Sequence, residues 1–241
     1  MDPYLDPRLA SLYDLLNPPG EDTRFYLRLA GSEPCSILDL GCGTGTLARS
    51  LARRGHRVTA ADPAAAMLEI AQEGAGAGRV TWIEGDALAL AEAGPFDLVI
   101  MAGHAFQCLL DDAVIAANLA AVREKLAEGG RFAFESRNPR AEAWRRWTPG
   151  RSRRLLRPNG GVAVETYLSL VDVEDEIVTY RTHARFPGEE EVIAQSALRF
   201  SSREALEKKL GEAGFGDIAV YGDWDGAPFK TDSAEIIIVA R

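Results

Sequence analysis

Between residues 35 and 136 the chain alternates strand-like runs with helix-like segments, and this alternation limits the fold more than any other feature. "CSILDL" (35–40), "HRVTAAD" (56–62), "RVTWIEGD" (79–86), "FDLVIMA" (96–102) and "RFAFES" (131–136) read as strands. "TGTLARSLARRG" (44–55), "AAAMLEIAQEGA" (64–75) and "DAVIAANLAAVREKLAEGG" (112–130) read as helices, with apolar residues at helical spacing and glycine at or near their ends. A continuous apolar run such as 96–102 fits a strand buried on both faces. Strict alternation of this kind predicts an α/β fold, a parallel sheet with helices on both sides. Right-handed crossovers then align the strand C-termini along one edge, where ligands bind. The glycines and acids that end the first three strands fall on that edge.

The pattern changes after Pro139. Residues 138–161 are rich in Arg, Trp, Pro and Gly and read as an irregular connection with at most one short helix. Three strand-like runs follow, at 162–173, 176–186 and 191–200, separated by the short polar turns "EDE" and "PGEE". They predict an inserted antiparallel β-meander. Residues 202–215 form an amphipathic helix capped by Ser201 or Ser202, and 217–224 and 233–241 close the chain as two strands. One domain is expected. It comprises an N-terminal helical cover (1–34), a ligand-binding core (35–137), an inserted covering segment (138–200) and a helix and strand pair completing the core (201–241).

The strand ending at Leu40 runs into Gly41-Cys42-Gly43-Thr44-Gly45. Glycine permits positive φ and lets backbone N–H groups approach a ligand. The dinucleotide fingerprint is G-x-G-x-x-G, whereas the spacing here is G-x-G-x-G, and no GK[ST] follows to make a P-loop. A nicotinamide-dependent oxidoreductase is therefore disfavoured. Asp62 ends the second strand, where a carboxylate can accept both hydroxyls of a ribose. Asp86 ends the third, where it can accept a hydrogen bond from an exocyclic amine. Each alone reads equally well as a loop carboxylate or a helix cap. Together, in order, they supply a backbone cradle, a ribose acceptor and a base acceptor.

With "ILDLGCGTGTLA", "VTAADPAAAML", "WIEGDAL", "FDLVIMAGHAFQCL" and "LAEGGRFAFE" in this order, the chain resembles the class I S-adenosylmethionine-dependent methyltransferases, in their small-molecule branch. The resemblance is close over about residues 35–136 and looser towards both ends. It implies a Rossmann-like, doubly wound, seven-stranded, mostly parallel sheet with an antiparallel last strand. It also implies S-adenosyl-L-methionine as cofactor. Gly41, Gly43 and Gly45 would border its methionine part, and Asp39 would orient its amino group. Asp62 would take the ribose hydroxyls, with Pro63 and Met67 as packing, and Asp86 and Ala87 would meet the adenine. Tyr26, on the N-terminal cover, is counted with the cofactor contacts. Ala64 stands where the family often has a polar residue, so it receives no role.

The implied reaction is transfer of a methyl group by in-line displacement to an O or N atom of a small molecule, which rests largely on positioning. The alternative is a protein that binds the cofactor without catalysis. A base helps only where the acceptor must lose a proton. His104, after the fourth strand, is the first candidate, against a packed or capping histidine. Glu135, ending the fifth, is the second, against a strand-end carboxylate paired to an arginine. Gln107 and His183 are weaker candidates, and His56 simply begins a strand. Tyr13, Phe25, Trp144, Trp147 and Trp224 are aromatics that enclose an acceptor or fill the core. The arginine run from Arg137 to Arg157 reads as a solvated loop, as a clamp for an anionic substrate, or as an RNA contact. Formal net charge is -9, from 27 basic and 36 acidic residues, which argues against nucleic acid. No Asn-Pro-Pro-Tyr motif follows the fourth strand, so methylation of base amines or protein amides is not suggested.

The three cysteines form no CxxC pair and read as reduced thiols, so no metal is expected. No signal peptide and no apolar run of membrane-spanning length is visible. A cytoplasmic protein, monomeric or homodimeric, is expected.

Overall fold

The computed structural model describes Tyr4, residues 6–90 and residues 93–241. Residues 1–3 and 5 of the expected N-terminal cover lie outside the described residues, as do residues 91–92. Three helices open the chain: α1 (Pro7–Ala10), α2 (Tyr13–Leu16) and α3 (Glu21–Ala30). Then β1 (Ser36–Leu40), α4 (Thr46–Arg53), β2 (Arg57–Asp62), α5 (Ala65–Glu73), β3 (Val80–Glu84), β4 (Phe96–Met101), α6 (Asp112–Lys125) and β5 (Leu126–Arg137) alternate. The insertion holds α7 (Pro149–Ser152), β6 (Arg154–Leu156), β7 (Val164–Glu174), β8 (Ile177–Arg185) and β9 (Val192–Arg199). The chain closes with α8 (Arg203–Glu212), β10 (Ile218–Tyr221) and β11 (Glu235–Ala240).

The main sheet has seven strands in the order β3-β2-β1-β4-β5-β11-β10. Strands β3 to β5 are mutually parallel, and β11 runs antiparallel between β5 and β10. This is the Rossmann-like sheet with an antiparallel last strand. Its centre is dry because β1 and β4 are flanked on both faces. In β4 every residue but Asp97 is buried. On α4, Leu47, Ala48, Leu51 and Ala52 turn one stripe to the sheet, and each fully buried leucine contributes about 1.5–3 kcal/mol.

Helix α6 stops at Lys125, five residues before the glycine terminator read from the sequence, and β5 begins at once. Gly130 explains the difference. A Cβ there would lie 2.8 Å from the Phe96 carbonyl oxygen and 2.9 Å from that of Ala127. The glycine therefore lets β5 approach β4 at an irregular register, between the pairs Phe96–Leu126 and Leu98–Arg131, rather than ending a helix.

The insertion folds as a four-stranded antiparallel sheet, β6-β7-β8-β9, one strand more than the meander expected from the sequence. Strand β6 has only three residues, and two of them are exposed; it carries no readable alternation. Leu9 and Leu12 of the N-terminal segment pack on Leu156, Val164, Ala184 and Val192 of this sheet. Gln107 donates through Nε2 to the Arg199 carbonyl at 2.8 Å, and Arg199 is ion-paired with Asp112 and Glu176. The second sheet is thus fastened over the C-terminal edge of the first. No helix among the described residues is long and apolar enough to cross a membrane.

Candidate active site

A cavity of about 730 Å³ lies where the two sheets and the N-terminal helices meet. Its floor is the strand edge: Asp39, Gly41 and Cys42 after β1, and Ala102, Gly103 and His104 after β4. Its roof comes from Tyr13 and Leu16 of the N-terminal cover and from Trp147, Tyr167 and Tyr180 of the insertion.

All three glycines of the first turn have positive φ, +73° at Gly41, +55° at Gly43 and +70° at Gly45. Their N–H groups do different work. Those of Gly41 and Cys42 donate to the Ala61 carbonyl at 2.8 and 3.0 Å. That of Gly43 donates to Asp62 Oδ2 at 2.7 Å, while Asp62 Oδ1 accepts from Ala64 N at 2.9 Å. The expected ribose acid is therefore buried against the turn and ties the ends of β1 and β2 together. Gly41 is on the cavity wall. Gly45 faces away from it: a Cβ there would meet the Trp82 ring at 2.4 Å, so its role is close packing of α4 on the sheet.

Asp39 is 1 % exposed in the central strand, and its Oδ2 has no hydrogen-bond partner among the described residues. Burial pushes its pKa up to about 7, with the Asp62 carboxylate adding to the shift and the Ala48 backbone N–H opposing it. A buried acceptor without a donor is costly, and this one lies on the wall of a cavity.

After β4, His104 sits in the left-handed region, with φ +62°. Two carboxylates hold it there. Its backbone N–H donates to Glu135 Oε1 at 2.6 Å, and its Nε2 lies 2.9 Å from Glu235 Oε2. Because the carboxylate accepts, the ring hydrogen belongs on Nε2, leaving Nδ1 as the acceptor. His104 lines the cavity. Glu135 does not. It is 0 % exposed, takes the Tyr26 hydroxyl as donor, and lies beneath His104. Burial raises its pKa, while the nearby His104 ring and the Tyr26 and His104 donors oppose the rise. Its partners are a tyrosine and a backbone N–H, not an arginine.

Tyr26 is likewise buried, in edge contact with Phe25 and Trp224, and is off the cavity wall. Trp224 is therefore packing for α3, and Trp144 packs on Phe200 at 4.6 Å. Met67 reaches the wall beneath Gly43. Pro63 is exposed. Asp86 caps the turn after β3 by accepting from Leu88 N at 2.9 Å, and Ala87 is buried; neither lines the cavity. His183 bonds Ser169 at 2.8 Å and stacks on Tyr167, behind the wall.

Residues absent from the sequence reading also shape the site. Glu235 begins the last strand and gave no signal, because its role depends on β11 lying beside β5. Tyr180 and Thr182 alternate along β8, a period-two signal that marks one shared face. No cluster of three or more candidate metal ligands occurs among the described residues.

Comparison with known proteins agrees with this geometry. Residues 37–130 match the methyltransferase domain family. A putative methyltransferase of Geobacillus is 36% identical over 101 residues, 41% of each chain. The match thus spans about two fifths of that relative's length. Among solved structures, the CcbJ methyltransferase from Streptomyces caelestis superposes with TM-score 0.77 at 21% identity, over 100% of this chain and 98% of that one. CalS10, an amino pentose methyltransferase from Micromonospora echinaspora solved with S-adenosylmethionine bound, does so with TM-score 0.66 at 22% identity, over 95% and 94%.

Proposed function

We propose that the chain, whose residues 37–130 match the methyltransferase domain family, is a class I S-adenosylmethionine-dependent methyltransferase that transfers a methyl group to an oxygen or nitrogen atom of a small molecule. One observation carries the reading: the unpartnered, buried Oδ2 of Asp39, a residue on the cavity wall next to the Gly41 turn. An ammonium group in the cavity satisfies that oxygen, and the methionine part of the cofactor has one. The residues present therefore fit the group.

When bound, S-adenosylmethionine supplies a methyl group already activated on a sulfonium. Asp39 would hold the amino group, and Gly41 and Gly43 would leave room for the chain that bears it. Asp62 would take the ribose hydroxyls while keeping its hold on the glycine turn. Met67 would pack on the cofactor from the cavity wall, and the adenine would extend past that wall towards Asp86, Ala87 and the exposed Pro63. The N-terminal cover and the second sheet close over the acceptor and exclude water. His104 would take the acceptor's proton on Nδ1, with Glu235 holding the ring at Nε2. Glu135 touches nothing in the cavity; with Tyr26 it fixes the backbone of His104, as a positioning residue.

The cavity's size, about 730 Å³, supports a small acceptor, as does the amino pentose named for one structural relative. The chain works as one methyltransferase domain, residues 138–200 being a cover and not a second unit.

Calorimetry with S-adenosylhomocysteine tests the reading. The wild-type protein binds it, and Asp62→Ala weakens binding roughly 10- to 100-fold, the cost of a lost charge-assisted hydrogen bond. A wild-type protein that does not bind it overturns the proposal.

A further inference from the structure

The arginine run is divided by the fold in a way the sequence does not reveal. Arg145 is paired with Glu142 and Arg153 with Glu165, and both lie off the cavity wall. Arg137, Arg146, Arg151 and Arg154 lie on it. None of these four is ion-paired among the described residues. Arg137 donates to the neutral Gln107 at 2.9 Å and lies over the Trp147 ring at 5.8 Å. Arg154 donates to the Leu16 carbonyl at 3.1 Å. The guanidinium groups of Arg146 and Arg151 have no hydrogen-bond partner among the described residues.

The cavity is therefore polar along its length. Asp39 stands at the floor, where the cationic donor would fit, and Asp14 and Asp22 line the side formed by the N-terminal helices. Arg146, Arg151 and Arg154, exposed side chains of the insertion, stand at the roof without an ion-pair partner among the described residues, and Arg137 stands at the end of β5, in a chain whose net charge is -9. Several fixed cations around one cavity repel a cationic ligand and attract an anion. The planar fork of arginine matches carboxylate and phosphate oxygens. Trp147 and Tyr180, with ring centroids 4.7 Å apart, add an aromatic surface beside the forks.

We propose that this end of the cavity holds an anionic group of the methyl acceptor, a carboxylate or a phosphate, through Arg146 and Arg151 with Arg137 and Arg154 beside them. The assignment rests on the methyltransferase reading and narrows it: the acceptor is an anion with a flat or apolar part, oriented with its charge away from the transferred methyl. The shared chemistry of the two anions leaves the choice between them to experiment.

The test titrates phenyl phosphate, benzoate and benzyl alcohol into the full chain saturated with S-adenosylhomocysteine, for wild type, Arg146→Gln/Arg151→Gln and Arg145→Gln. At least one of the two anions binds the wild type. Its affinity falls at least about tenfold in the double variant and is unchanged in Arg145→Gln, while benzyl alcohol binds weakly to all three. The tighter anion identifies the group. If the double variant fails to fold, the two single variants carry the same comparison. Equal anion affinity in wild type and double variant overturns the proposal, as does anion binding no tighter than that of benzyl alcohol. Loss of S-adenosylhomocysteine affinity in the double variant also overturns it, by placing the arginines on the cofactor. A wild type that binds no S-adenosylhomocysteine defeats the methyltransferase reading alone, and the anion titration of the bare protein still reads the cationic wall.

Discussion

Asp39 is an acid in the middle of a dry sheet, and that position gives it a pH signature. Its pKa of about 7 in the folded chain, against 3.8 for the ordinary carboxyl, makes the folded state keep a proton that the unfolded state has released. Stability from this group therefore falls as pH rises from about 4 to about 7, then stays level. Binding of an ammonium ligand runs the other way, because it needs the ionised form. Wild-type affinity for S-adenosylhomocysteine should rise between about pH 5.5 and 7.5 and level off by about pH 8. Asp39→Asn should lose that rise and bind more weakly at pH 8, as calorimetry in matched buffers will read. A pH-independent wild type would remove Asp39 from the site. At this scale the acids at the ends of the strands were legible, since a charged residue closing an apolar run stands out. The separate duties of Glu135 and Glu235 were not: one is sealed under His104 and the other reaches its ring from a strand 131 residues later in sequence.

The elements owe their close packing to glycines that the sequence displays but does not explain. The turn after β1 shows why position matters. At Gly45, φ is +70° and a Cβ would collide with the Trp82 ring at 2.4 Å. At Gly76, also left-handed with φ +90°, a Cβ would meet nothing nearer than the Arg53 side chain at 3.9 Å. Gly45→Ala should therefore cost about 1–3 kcal/mol of overpacking beyond the left-handed strain of about 1–2 kcal/mol that Gly76→Ala alone incurs. Urea unfolding midpoints of the two variants give the comparison, and equal losses would mean that α4 yields to make room. Strand and helix positions followed from periodicity because local pattern and burial agree across the core. The boundary between α6 and β5 did not, because Gly130 answers to the Phe96 carbonyl across the sheet and not to its own helix. Strand β6 stayed hidden for a related reason: three residues with two exposed have no pattern until β7 pairs with them.

Taken whole, the molecule joins two sheets across one cavity. Leu9 and Leu12 fasten the inserted sheet to the N-terminal cover, and Gln107 and Arg199 fasten it to the core. One calorimetric unfolding transition is expected, moved upward by S-adenosylhomocysteine. At a hundred times its dissociation constant the gain is about 2.7 kcal/mol, roughly 5–10 °C for a chain of this size. Two separate transitions, only one of them ligand-sensitive, would make the insertion an independent unit. By itself the sequence determined the alternating core, the glycine turn and the ordered acids, because each is a local pattern that a parallel sheet must repeat at one edge, and the family resemblance of those motifs implied the methyl donor. Only the tertiary structure decided which arginines face the cavity, that Glu135 lies beneath His104, and that Glu235 holds its ring. These are meetings between segments far apart in the chain, and side-chain direction there is set by packing that no local pattern encodes.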